Sequence, residues 1–307
     1  MNRTLEVATT YNQKYYDICG KRMIETFIEF WPKDVTLYAY WEEQEPEIFA
    51  DNVKYINLLE AQPELVKFVE RNKDDRKKNG WRSGEWLDGE NPRTFTTEKQ
   101  IWKYDGVKFS YKVFAQSHRI KNSTSDRLLY LDADTFTHAT PNLDYLDEIL
   151  PEDHLCSYLG RVKNYDETGY YFHNIAHPKS QEWAHRMEEI YINDELWDLE
   201  QQVDCYTMYW ARKTFKDCPQ FDLNAYHGGF GNSHPFINTK LGAFLDHLKG
   251  NERKRLGSSK IKDFKQSVGT DKSLGLGHGK KGNGMANTKW KKSDYWREAM
   301  LKERKLK

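Results

Sequence analysis

Asp132 and Asp134 close the run Leu128-Leu129-Tyr130-Leu131 and are the residues of this chain best placed to do chemistry. Side chains two apart on a strand point the same way, so an Asp-x-Asp at a strand tip brings two carboxylates together. Such a pair repels itself unless a cation lies between, and oxygen ligands of this kind suit Mg²⁺ or Mn²⁺, with a substrate diphosphate supplying further oxygens. The plain alternative is a solvated strand end with two ordinary acids, as a bare Asp-x-Asp usually is. The apolar lead-in sets this instance apart, because a short continuous apolar run reads as a strand buried on both faces of a mostly parallel sheet. In such sheets ligands bind beyond the carboxyl ends of the strands, where this pair would lie.

The elements around the pair read as α/β. Residues 4–8 form a first strand, followed by a polar turn over Thr9, Thr10, Tyr11 and Asn12 in which Tyr11 could stack on a base. Apolar positions at helical spacing from Tyr15 to Phe30 predict a helix that Pro32 ends, and residues 35–41 predict a second strand. Strand, helix and strand in that order make a βαβ unit. A helix is predicted over 61–72 and a polar, tryptophan-bearing surface loop over 73–98, with Trp81 and Trp86. A helix is read from Glu98 to about Arg119, burying Ile101, Phe109, Val113 and Phe114. After the Asp pair come a short helix from Pro141, strands at 155–159 and 170–174, and helices at 179–192 and 196–213. A glycine-rich segment from Tyr226 to Gly231 follows, with His227 and His234 in and beside it.

Of 307 residues, 14% are aromatic, which excludes general disorder although 31% are charged. The net charge is zero but unevenly spread: residues 249–307 carry 18 Lys and Arg against 6 Asp and Glu. The body is therefore acidic and the end basic, which suggests that the end meets something anionic, unless it is simply a solvated tail. The boundary is placed at 257, with 258–307 a basic, partly flexible extension whose 274–284 stretch is linker-like and whose last helix carries Trp290, Tyr295 and Trp296. Cys19, Cys156, Cys205 and Cys218 show neither metal spacing nor Cys-x-x-Cys. With no long apolar run and no signal-like start, a soluble protein of a reducing cytoplasm is expected, without a membrane partner.

The segment Ser125-Asp-Arg-Leu-Leu-Tyr-Leu-Asp-Ala-Asp134 resembles the metal-site segment of nucleotide-sugar glycosyltransferases with the GT-A fold, particularly glycosyltransferase family eight. Phe109-Ser-Tyr-Lys112 resembles the helix that carries a basic donor contact there, and Thr168-Gly-Tyr-Tyr-Phe-His-Asn174 resembles a strand on the acceptor side. His247-Leu-Lys-Gly250-Asn-Glu-Arg253 fits the family's His-x-x-Gly-x-x-Lys with Arg in the last place. The resemblance implies a GT-A-type, Rossmann-like mixed sheet flanked by helices over residues 1–257, with a metal-dependent glycosyltransferase activity. It implies Asp132, Asp134 and His247 as ligands of Mn²⁺ or Mg²⁺. Thr9, Thr10, Tyr11, Lys112, Asp132, Ala133, Lys249, Gly250 and Arg253 become donor contacts, a UDP-sugar being the expected donor. Lys112 and Asp204 are the expected catalytic pair, Asp204 lying under the sugar. The chain also resembles glycosyltransferases of bacterial viruses, some of which modify viral DNA. A hydroxymethylated pyrimidine in double-stranded DNA is accordingly the expected acceptor, in the host cytoplasm, with a glycan or protein as the alternative.

Two other classes compete. Haloacid-dehalogenase-type phosphatases also end a strand in Asp-x-Asp, but usually have Thr or Val where this chain has Phe136, and place the motif near the start of the domain. A non-catalytic nucleic-acid-binding protein would use the basic end and its aromatic residues.

Overall fold

The computed structural model describes residues 3–88, 91–161, 164–229, 234–264 and 293–305. Its strands are β1 Leu5–Tyr11, β2 Thr36–Trp41, β3 Val53–Asn57, β4 Asn79–Asp88, β5 Asn91–Asp105, β6 Arg127–Leu131, β7 Thr135–Thr137, β8 Cys156–Tyr158, β9 Tyr170–Asn174, β10 Gln220–Asp222 and β11 Leu245–His247. Seven of them form one sheet in the order β10-β8-β9-β6-β1-β2-β3. The pairs β6–β1, β1–β2, β2–β3 and β8–β10 are parallel, and β9 runs antiparallel to both of its neighbours. The fold is therefore mixed α/β with a mostly parallel central sheet.

Both faces are covered, which is why β6 is apolar at consecutive positions. Leu129 and Leu131 pack with Val7, Leu37 and helix Lys21–Phe30, whereas Leu128 and Tyr130 pack with Ala8, Tyr40 and helices Gly106–Asn122 and Ser180–Ile192. Phe264, Trp296 and Ala299, from beyond residue 257, belong to the first of these clusters.

Several expectations are corrected. Residues 9–11 are the end of β1 and not a turn, because β2 stays in register with them as far as Tyr11 opposite Trp41. The helix predicted across 14–31 contains a π-turn at Tyr16–Gly20. The stretch read as a surface loop is the antiparallel hairpin β4–β5, with register shifts at Gly80 and Gly84, whose φ values are +85° and +72°. The helix read from Glu98 begins only at Gly106. Asp105 caps it by accepting from the Lys108 N–H, and the residues before it are strand. The helix read across 196–213 is a 3-10 turn at Glu195–Asp198 and a separate helix at Asp204–Lys213. The short strands β3, β7, β10 and β11 were not legible.

The Trp86 side chain, Phe230, Gly231, Trp290 and residues 274–284 lie outside what is described. Among the described residues no helix is long and apolar enough to cross a membrane.

Candidate active site

The carboxyl ends of β6, β1 and β2 open onto a cleft of about 580 Å³, a size suited to a small-molecule ligand. Asp132 lies just past β6, and Asp134 lies in the turn to β7 that the Thr135 N–H to Asp132 C=O bond (2.8 Å) closes. The two acids converge through this turn and not through strand alternation, a correction of mechanism. Antiparallel pairing of β7 with β11 sets His247 opposite Thr135, and the Leu248 N–H donates to the Asp134 carbonyl (2.8 Å). His247 Nε2 thereby comes to 3.1 Å from Asp134 Oδ1 and 3.9 Å from Asp132 Oδ2. Gly169, just before β9, makes room for that ring: a Cβ there would overlap the imidazole.

Two lysines take the outer carboxylate oxygens. Lys112 Nζ, from helix Gly106–Asn122, lies 2.6 Å from Asp132 Oδ1 and 2.7 Å from Asp204 Oδ2. Lys254 Nζ pairs with Asp134 Oδ2. The inner oxygens, Asp132 Oδ2 and Asp134 Oδ1, are the ones facing His247 Nε2, and the three potential ligand atoms lie within 4.8 Å of one another. Two carboxylate oxygens and an imidazole fit one Mg²⁺ or Mn²⁺.

Electrostatics divides the carboxylates. Burial raises Asp132 above the usual range despite Lys112, and its neighbour Asp134 adds to the rise. Burial acts the same way on Asp134, but His247 and Lys254 outweigh it and hold that carboxyl well below the usual range. This is how two close like charges ionise, one readily and one reluctantly. Burial would lower His247, yet Asp134, Glu167 and Asp132 together raise it. Asp204, buried in the first turn of its helix, is opposed by desolvation but is lowered by Lys112 and by the Thr168 hydroxyl, which donates to it at 2.6 Å.

The other residues expected to contact a donor are distributed unevenly. Thr10, Tyr11 and Ala133 border the cleft, while Thr9 is fully buried and not among its lining residues. Tyr11 is 3% exposed, with its ring tilted against Tyr16, so an open stacking face is not what it presents. Lys249 pairs with Glu167, and Gly250, at φ +81°, leads into helix Asn251–Leu256. Arg253 is turned away to Asp263, with Nε 2.7 Å from Oδ2, and Lys254 lines the cleft where the family resemblance implies Arg253. One helical step of 100° separates the two side chains, and Asp263 captures the first.

Lys254 and Glu42 are two charged cleft residues that sequence reasoning missed; Glu43, Asn79, Gln100, Asp105 and Lys108 also line the cleft without having been expected there. Glu42 follows β2 beside Asn12; burial, and then Glu43, push it up to about 8. Glu43 is engaged elsewhere, accepting from the Gln13 N–H at 2.6 Å. Only the place of Glu42 at a carboxyl strand end could have marked it.

No family model matches this chain, and no curated protein matches it. Among solved structures it is similar to mouse xyloside xylosyltransferase 1 in its apo form, at 11% identity over 71% of this chain and 84% of that one, with a TM-score of 0.44. It is also similar to the apo-form glycosyltransferase GlyE of Streptococcus pneumoniae TIGR4 (13% identity, 73% of this chain, TM-score 0.38) and to the WbbM bifunctional glycosyltransferase (12%, 82%, 0.46). It spans 46% of each of the latter two chains. Likenesses of this degree do not establish an activity, so a functional reading rests on the site itself.

Proposed function

We propose that this chain is a metal-dependent glycosyltransferase that moves a sugar from a nucleotide-sugar to a hydroxyl acceptor. The observation that carries the reading is the division of oxygens at the Asp pair: lysines hold the outer two while the inner two face His247 Nε2. A bound Mn²⁺ or Mg²⁺ would supply charge neutralisation of a leaving diphosphate. Asp132, Asp134 and His247 would hold it. Lys254 and Lys112, already in the cleft, would add fixed positive charge toward the phosphates, where preorganised charge is most effective. Thr10 and Asn12 border the side where the nucleoside would lie.

Asp204 is better suited to orienting the sugar and stabilising positive charge than to taking a proton. A carboxylate whose pKa is lowered is a weak base, and general bases work best near the operating pH.

A UDP-sugar as donor follows from the family resemblance. Double-stranded DNA bearing a hydroxymethylated pyrimidine, as acceptor in a host cytoplasm, is supported by the excess of basic residues after Lys249 and by the resemblance to viral enzymes. A glycan or protein acceptor is the alternative.

The test is thermal melting with UDP-sugars, GDP-sugars and free nucleotides, each with Mn²⁺ or with EDTA, on wild type and Asp134→Ala. A metal-dependent stabilisation by one nucleotide class, lost in the variant, is expected. Absence of any shift under all conditions would remove the glycosyltransferase reading.

A further inference from the structure

We infer that helix Asp294–Lys305 completes the cation site from behind, with Tyr295 acting through Asp246 as a positioning residue for His247. This rests on the reading of Asp132, Asp134 and His247 as a cation site.

The imidazole is packed against Gly169, His234 and Phe236, but its second nitrogen is not fixed by the residues around it. Among the described residues no group hydrogen-bonds its buried Nδ1, whereas a metal-ligating histidine ordinarily has its second nitrogen fixed by a carboxylate, carbonyl or water. Where the backbone of β11 is held therefore bears directly on the direction of Nε2. That strand is weakly held by its own sheet: β7 and β11 have three residues each and form a separate two-stranded sheet. A hairpin-sized pair of this kind is marginal without outside support.

The support comes from later in the chain. Asp246 points to the opposite side of the strand from His247 and is fully buried. It accepts from the Tyr295 hydroxyl (2.6 Å), the Ser259 N–H (2.8 Å) and the Ser259 hydroxyl (2.5 Å). Since the Ser259 hydroxyl donates to Asp246, His234 Nε2 donates to Ser259 Oγ at 3.1 Å, and the His234 ring meets the His247 ring edge-on at 5.6 Å. Tyr295 stacks on His138, immediately after β7, at 4.0 Å between ring centres. Trp296, fully buried, donates to the Gly242 carbonyl just ahead of β11 at 2.8 Å. One helical turn thus touches the end of β7, the approach to β11 and the residue beside the ligand. On this reading helix Asp294–Lys305 is part of the catalytic body.

The probe is Mn²⁺ alone, titrated into the full chain and followed by calorimetry and pulsed EPR. Wild type is expected to bind Mn²⁺ in an Asp134-dependent way, with nitrogen coupling from the imidazole. Tyr295→Phe keeps the ring on His138 and drops the hydroxyl. It should bind Mn²⁺ about tenfold more weakly, the lower end of the effect of removing an outer-shell partner. Its nitrogen coupling should weaken while its fold is retained, since Ser259 still donates twice to Asp246. Asp246→Asn should shift in the same direction, and decides the matter if Tyr295→Phe does not fold. Leu301→Ser, on the exposed side of the same helix, should bind as wild type does. Wild-type affinity and coupling in both Tyr295→Phe and Asp246→Asn would overturn the positioning role. Absence of an Asp134-dependent Mn²⁺ signal in wild type is a separate outcome, which removes the cation reading and this inference with it.

Discussion

Asp263 holds the guanidinium of Arg253 in a two-pronged pair, and the next residue, Lys254, reaches Asp134 in the cleft. Substituting each with alanine should therefore have different consequences. Lys254→Ala should weaken metal-dependent nucleotide binding by about tenfold, the worth of one charge-assisted contact. Arg253→Ala should leave nucleotide affinity unchanged and cost about 1–3 kcal/mol of stability, because Asp263 loses its partner. Nucleotide titration and denaturant melts on the two variants check both expectations. Glu42 allows a pH prediction. Its folded-state pKa is raised from 4.5 to about 8, so the folded form keeps a proton that the unfolded chain gives up. The stability it contributes is full below about pH 4.5 and is lost as the pH rises toward 8. Glu42→Gln is neutral throughout. It should melt with wild type at pH 4 and be more stable at pH 8–9 by on the order of 1 kcal/mol, discounted for partial exposure.

At the scale of elements, the site depends on close approach between β9 and β11. Gly169 admits the His247 ring where any Cβ would collide with it. Gly169→Ala should retain the fold at about 1–3 kcal/mol lower stability but bind Mn²⁺ at least tenfold more weakly, since the ring must move from the Asp pair. An unchanged Mn²⁺ titration would show that the ring is not a ligand. The hairpin β4–β5 teaches a different lesson. A two-stranded ribbon has little face to bury, so its charges fall on both sides and the alternation that marks a strand is missing. Its inner end still matters, because Asn79, Gln100 and Asp105 line the cleft.

For the whole molecule, the basic end and the acidic body are joined through buried aromatic contacts. Trp296 is fully buried and meets Phe264 edge-on at 4.6 Å. Trp296→Ala should destabilise the whole domain by about 3–5 kcal/mol, as removal of a core tryptophan does, and should do so in a single melting transition. A separate low-temperature transition with the remaining domain unperturbed would show that the helix is an independent appendage. Charge excess alone had suggested a tail meant for a partner. Composition reports how many lysines a segment has, but not that two aromatic residues within it are core.

The chain by itself determined what depends on neighbours in sequence. Both-face burial of β6 is written in Leu128-Leu129-Tyr130-Leu131, and the βαβ start in alternating strand and helix patterns. Asp132 and Asp134 stood out because they follow an apolar strand whose carboxyl end is where ligands bind in such sheets. Tertiary structure decided what depends on approach across the fold. His247 meets the pair, 113 residues from Asp134, through three-residue strands too short to show a pattern. Lys254 and not Arg253 enters the cleft because Asp263 competes for the arginine, and Tyr295 reaches Asp246 because packing of Trp296 places it there. Periodicity encodes which side of an element is buried; which two elements meet, and which of several cations wins a given carboxylate, is settled only when they compete for the same space.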